Sequence, residues 1–190
     1  MSQEVEIEFK NMLTKEEYDN LLDAYRLTDI QTQTNDYFDS KDFLLREKGA
    51  ALRVRSKHDK LVLTLKEPAS EGLLETHQAI TVAQFDSIKT TNQLPDGDVF
   101  DQIKNLGIHS PLFHLGSLTT HRAEVTIDSG LLVLDHSEYL DREDYELEFE
   151  VKEYEAGKRA FHSLLHNHHI PERSANNKIF RFFLATQGQG

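Results

Sequence analysis

The 190-residue chain contains no cysteine. It therefore has no disulfide, no thiolate zinc site and no thiol nucleophile. Basic residues are in the minority, with 21 Lys and Arg against 33 Asp and Glu and a formal net charge of −12. That balance opposes general nucleic-acid binding, which draws on a basic surface, yet leaves room for a local basic pocket. No apolar run approaches the length of a membrane span, so no membrane partner is expected. The N-terminus lacks a basic stretch followed by an apolar one, and a cytoplasmic protein is the default expectation. There is no linker rich in Pro, Gly or Ser, no internal repeat and no low-complexity segment, and residues 1–190 are expected to form a single domain. Walker A, GxSxG and HExxH signatures are absent as well. His162 and His166 stand i, i+4 on an expected helix, with His168 and His169 close behind. Without a third ligand nearby, they read as a solvated helix end rather than a metal pair.

What the chain does have is alternation. In Glu4-Val5-Glu6-Ile7-Glu8-Phe9-Lys10, Val5, Ile7 and Phe9 fall on one face of a strand and the charged residues on the other. The same pattern returns in Tyr145–Lys152, where Leu147, Phe149 and Val151 oppose Glu146, Glu148, Glu150 and Lys152. Taken alone, such strands fit an antiparallel sheet with a solvated outer face. Between them, Ala51–Arg55 places Arg53 and Arg55 opposite Leu52 and Val54, and Leu61–Lys66 places Thr64 and Lys66 opposite three leucines. Further strands are expected near 29–38, 73–80 with Glu75, 111–128 with Arg122, and 131–136. Helices are expected from a capping box at Thr14 and Glu17, over 81–90 and 98–106, and over 155–168; a short turn is expected at 41–48. Eight strands without βα alternation predict an α+β fold with a mostly antiparallel sheet.

The charges are sorted by strand. The first and eighth strands bring acids; the third, fourth and sixth bring Arg53, Arg55, Lys66 and Arg122. A sheet closed with its charged faces inward would enclose a polar tunnel, with helices covering the apolar outside. Arg and Lys match phosphate oxygens, whereas carboxylates beside them would repel phosphate unless a divalent cation lay between. Mg²⁺ and Mn²⁺ take carboxylate and phosphate oxygens together, so the combination points to a metal–polyphosphate complex.

On these residues the chain resembles the CYTH superfamily, also called triphosphate tunnel metalloenzymes. Glu6-Ile7-Glu8-Phe9-Lys10 matches its ExExK signature. The stretches at 52–55 and 63–66, Arg122, Asp135, the Glu146 and Glu148 pair and Lys178 follow in the family's order across nearly the whole chain. The segments at 37–39 and 139–141 are most similar to the bacterial YjbK-like branch. The resemblance implies a closed eight-stranded antiparallel β-barrel with helices packed outside, and hydrolysis of a small-molecule triphosphate with Mg²⁺ or Mn²⁺. Carried over by residue, Lys10, Arg53, Arg55, Lys66, Arg122 and Lys178 would clamp phosphates, with Arg181 extending the set. Glu6, Glu8, Glu146 and Glu148 would hold metal, joined by Asp135. Glu150 lies on the same face, Glu75 would orient a cation from a second position, and Glu4 and Lys152 belong to the rim. Two other readings stand beside hydrolysis. One is a class IV-type adenylate cyclase, and the other is a non-catalytic module that binds polyphosphate or nucleotide.

Overall fold

The computed structural model describes residues 2–127 and 129–188; Asp128, the expected end of the sixth strand, lies outside them. Eight strands, β1 (Ser2–Leu13), β2 (Gln31–Asp39), β3 (Ala51–Lys57), β4 (Lys60–Pro68), β5 (Leu73–Ile80), β6 (Phe113–Ile127), β7 (Gly130–Tyr139) and β8 (Arg142–Val151), form one closed barrel in the order β1-β5-β4-β3-β2-β6-β7-β8. Six helices accompany them: α1 (Lys15–Ala24), α2 (Leu44–Glu47), α3 (Val82–Thr91), α4 (Asp98–Asn105), α5 (Tyr154–Asn167) and α6 (Lys178–Thr186). Closure satisfies every strand edge, so no edge needs protection. The contacts divide the chain into two compact units, one joining the N-terminal residues through Val5 to Gln33–Leu118, the other joining Glu6–Thr32 to the chain from Thr119 onward.

In the first unit, β2, β3, β4 and β5 pair antiparallel in sequence order. The register sets Leu52 opposite Phe38 and Leu65, and Val54 opposite Leu63. These side chains are fully buried with Ile88 of α3 and Val99 and Ile103 of α4. The helices therefore cover the apolar face of the sheet, and period-two alternation leaves Arg53, Arg55, Thr64, Lys66 and Glu75 on the other. The turn expected at 41–48 is α2, whose N-terminal amides are satisfied by Asp39: its carboxylate accepts from the Leu45 and Arg46 N–H groups at 3.0 and 3.1 Å.

In the second unit, β6, β7, β8 and β1 pair antiparallel. Leu132, Leu134, Leu147 and Phe149 pack with Tyr18 and Leu21 of α1 and Phe161, Leu164 and Leu165 of α5. The capping box predicted at Thr14 and Glu17 is present, with Thr14 Oγ1 accepting from the Glu17 N–H at 3.1 Å. Gly130 opens β7 where the chain runs against β8; a Cβ there would sit 2.3 Å from the Glu150 carbonyl oxygen, so only glycine fits.

The segment after α5 is tied down by Asn11, a buried polar residue on the apolar face of β1. Its amide donates to the Met12 and Pro171 carbonyls at 3.0 Å each and accepts from the Arg173 N–H at 2.7 Å. Arg173 then forks onto Glu17 at 2.7 and 3.0 Å. This staple fixes the approach to α6, whose first residue is Lys178. Asn11→Leu removes all three bonds and strands their buried partners, and is expected to cost about 2–3 kcal/mol, read as a fall in the urea midpoint at unchanged m-value.

Candidate active site

On the polar face of the first unit, Lys66 lies 3.1 Å and Arg53 4.0 Å from Glu75 Oε1. His77 completes the group, 3.2 Å from Glu75 Oε2 and 2.9 Å from Thr64 Oγ1. Burial pushes the Glu75 carboxyl up, but Lys66 and Arg53 outweigh it and hold the group below the usual carboxylate range. Glu75 is thus a counter-charge to the basic residues, and with Glu4 and His77 it also forms a group whose ligand atoms lie within 4.8 Å of one another. Arg55 is held by Asn35 of β2, its Nε donating to Asn35 Oδ1 at 2.9 Å. Three cations share this face with one buried carboxylate, which leaves it electropositive.

The second unit carries a tighter assembly. The β7–β8 register sets Asp135 opposite Glu146 and Val133 opposite Glu148, while the β1–β8 register sets Lys10 opposite Glu148 and Glu8 opposite Glu150. Asp135, Glu146 and Glu148 are buried, with one oxygen of each within 4.8 Å of the others. Lys178 Nζ projects among them at 2.8 Å from Asp135, 3.1 Å from Glu146 and 2.5 Å from Glu148. Arg122 forks onto Asp135 at 2.8 and 2.7 Å and reaches Glu148 at 3.0 Å. Arg181, on the inward side of α6, bonds Glu146 and spans Asp144 at 3.0 and 3.2 Å.

The electrostatics separate these carboxylates. Burial raises all three, but Lys178, Lys10 and Arg122 hold Glu148 well below the usual range, and Lys178 and Arg122 hold Asp135 below it. Glu146 goes the other way, pushed up to about 7 by burial and by Glu148 beside it, with Lys178 opposing. The geometry explains the difference, because Glu146 Oε1 makes no hydrogen bond although Lys178 Nζ is 3.1 Å away. Lys178 itself is raised above its ordinary value: burial alone would lower it, and the three carboxylates reverse that.

A second group of carboxylates, Glu6, Glu8 and Glu150, also offers oxygens within 4.8 Å of one another. Lys10 Nζ is 3.0 Å from Glu8 and 3.7 Å from Glu148. Burial and the neighbouring Glu6 push Glu150 up to about 8. These acids are crowded against one another with Lys10 on Glu8, whereas those around Lys178 have both Lys178 and Arg122 on their oxygens. A hard divalent cation, which takes carboxylate oxygens, fits the first arrangement better. The structure thus divides the expected metal ligands into two groups, Glu6 and Glu8 with Glu150 added, and Asp135 with Glu146 and Glu148, each with ligand oxygens within 4.8 Å of one another. The signal was legible, since Glu150 continues the Glu146, Glu148 alternation by one step; only the β1–β8 register reveals which acid faces Glu8. His162 and His166 are exposed, and His162 Nδ1 lies 3.4 Å from Glu172. Glu4 is exposed and lies 3.1 Å from His77, and Lys152 is exposed.

The family model described as "CYTH domain" matches residues 4–183. The chain belongs to the CYTH family. It is 50% identical over 186 residues to the Bacillus subtilis protein named "Putative triphosphatase YjbK", covering 96% of each chain. Among solved structures, a Bacillus halodurans protein described as a "putative adenylate cyclase" superposes with a TM-score of 0.92 at 38% identity, covering 96% of this chain and 100% of that one. HpAC1 from Hippeastrum, whose description reports a dominant triphosphatase activity, superposes at 0.78 with 25% identity, covering 97% and 96%. The CYTH assignment agrees with the closed antiparallel barrel and its outer helices. Among the described residues, no helix is long and apolar enough to cross a membrane.

Proposed function

We propose that this CYTH protein is a metal-dependent hydrolase of triphosphate-containing substrates, with residues 1–190 acting as one domain. The observation that carries the reading is the division of charge. Arg53, Arg55 and Lys66 share one polar face with the buried carboxylate of Glu75, while Glu6, Glu8 and Glu150 crowd together on the other unit's polar face. An electropositive surface suits phosphoryl oxygens and a carboxylate cage suits a divalent cation, the two components of a metal–polyphosphate complex. The similarity to proteins named for triphosphatase activity supports the same reading.

In this reading, Arg53, Arg55, Lys66, Lys10 and Arg122 neutralise and align the phosphoryl oxygens for in-line displacement at the terminal phosphorus. Lys178 and Arg181 keep Asp135, Glu146 and Glu148 in place, and Glu6, Glu8 and Glu150 hold Mg²⁺ or Mn²⁺. A bound ion supplies neutralisation of developing charge and lowers the pKa of an attacking water. Glu150, pushed up to about 8, carries a proton at neutral pH that metal binding must displace. Affinity for Mn²⁺ is therefore expected to rise with pH between about 6.5 and 8.5, with proton release seen by calorimetry in buffers of different ionisation enthalpy. A pH-independent affinity without proton release would place the ion elsewhere.

The functional test is product analysis. The purified protein is incubated with Mg²⁺ or Mn²⁺ and, in turn, tripolyphosphate, ATP and thiamine triphosphate. Release of inorganic phosphate is expected. The resemblance to a protein named as a cyclase favours a second reading, in which ATP gives cyclic AMP and pyrophosphate through attack on the α-phosphorus. Binding without turnover under either metal would leave a non-catalytic module.

A further inference from the structure

Three nitrogen donors on the polar face of β2 and β3 are buried without a hydrogen-bond partner: Gln33 Nε2, Asn35 Nδ2 and Arg53 Nε. Gln33 is 3% exposed and Asn35 0%, so neither amide loses its partner to bulk solvent by exposure. An unpaired buried donor costs free energy comparable to a lost hydrogen bond, and three in one patch call for an acceptor that completes them. The orientation of Asn35 is not arbitrary. Its Oδ1 accepts from Arg55 Nε at 2.9 Å, which fixes the other end of the amide as the free NH₂. The register makes the patch contiguous. Gln33 and Asn35 are same-face neighbours on β2, Asn35 is directly opposite Arg55, and Arg53 is the diagonal neighbour of Asn35 across the pair.

We propose that Gln33 and Asn35 form, with Arg53, a subsite for one phosphoryl group of the substrate, and that this subsite makes the protein favour a triphosphate over a diphosphate. The inference rests on the hydrolase reading above and adds two neutral residues to it. Their neutrality matters. Amide NH₂ groups donate to phosphoryl oxygens but cannot hold a cation as carboxylates do, so the patch selects an oxyanion and rejects a metal ion. They also read the position of oxygens rather than total charge, which separates chains of different length better than another lysine would.

Two measurements test this. In the wild-type protein, with EDTA present, the side-chain NH₂ resonances of Gln33 and Asn35 are followed by NMR as tripolyphosphate, pyrophosphate or sulfate is added. Tripolyphosphate is expected to move both, and sulfate neither. Separately, Asn35→Asp keeps the acceptor for Arg55 but turns the free donor into an acceptor, and Gln33→Glu does the same at its position. Each is expected to raise KM for tripolyphosphate by about 10- to 100-fold, the size of a lost hydrogen bond to a charged group. The change in kcat should be smaller, and the preference for tripolyphosphate over pyrophosphate in competition should narrow. The NMR measurement needs no variant, so it decides even if a substitution prevents folding. Resonances that stay fixed while the wild type hydrolyses tripolyphosphate overturn the subsite alone. A wild type that neither binds nor hydrolyses tripolyphosphate overturns the hydrolase reading and the subsite with it.

Discussion

Turnover by the Glu6→Gln/Glu8→Gln double variant is expected to fall by about 10³-fold or more, because a metal ion contributes several kcal/mol of transition-state charge stabilisation. The fold should survive. Glu6 is the neighbouring charge that, after burial, does most to push Glu150 up to about 8, so replacing the acids with isosteric amides relieves repulsion. The variant's melting temperature in EDTA should equal or exceed that of the wild type, while the rise that Mn²⁺ gives the wild type should vanish. Activity and metal-linked stabilisation thus disappear together in a protein that is otherwise no less stable. Unchanged turnover in a folded double variant would reject the metal assignment.

Lys178→Met acts in the opposite sense, on stability first. The methionine fills similar space but withdraws an ammonium that lies within 3.1 Å of each of Asp135, Glu146 and Glu148. Removing one partner of a buried ionic cluster is strongly destabilising, here about 3–5 kcal/mol, because the remaining charges stay desolvated. The pH dependence between about 5 and 8 should also steepen. In the wild type, Glu148 and Asp135 have folded pKa values below their unfolded ones, so their contribution is present above the unfolded pKa and lost as pH falls through the folded pKa. In the variant, burial without Lys178 raises the carboxyls, and stability is lost as pH rises. The melting temperature of Lys178→Met should therefore climb more steeply as pH is lowered from about 8 to 5 than that of the wild type, in which Glu146 and Glu150 already carry raised values. A variant that melts like the wild type across this range would show that Lys178 does not neutralise the cluster.

The strands and their faces were readable because period-two alternation survives wherever one face meets a core. Leu52 and Val54 against Arg53 and Arg55 is such a case, and the structure buries the former pair under α3 and α4. The capping box at Thr14 was readable because it is a local hydrogen-bond exchange with a fixed spacing. What the sequence could not convey was register. Whether Glu8 faces Glu146, Glu148 or Glu150 depends on how β1 slides along β8, which no local pattern encodes. The contacts of Arg181 with Asp144 and Glu146 were hidden for a related reason. Its i, i+3 relation to Lys178 only matters once α6 is seen to aim both at Glu146. Gln33 and Asn35 gave no signal at all, since neutral amides in a Thr- and Gln-rich strand look like solvent-facing residues until their burial is known. Asn11 was equally silent, as a polar residue at an apolar position whose partners lie some 160 residues away.

The most direct test is a crystal structure of the protein with Mn²⁺ and a non-hydrolysable triphosphate analogue, using the anomalous signal of manganese to locate the ion. The ion should lie within coordination distance of Glu6, Glu8 and Glu150, with phosphoryl oxygens on Arg53, Arg55 and Lys66. Manganese bound away from those three glutamates, or an analogue that leaves the three basic residues untouched, would contradict it.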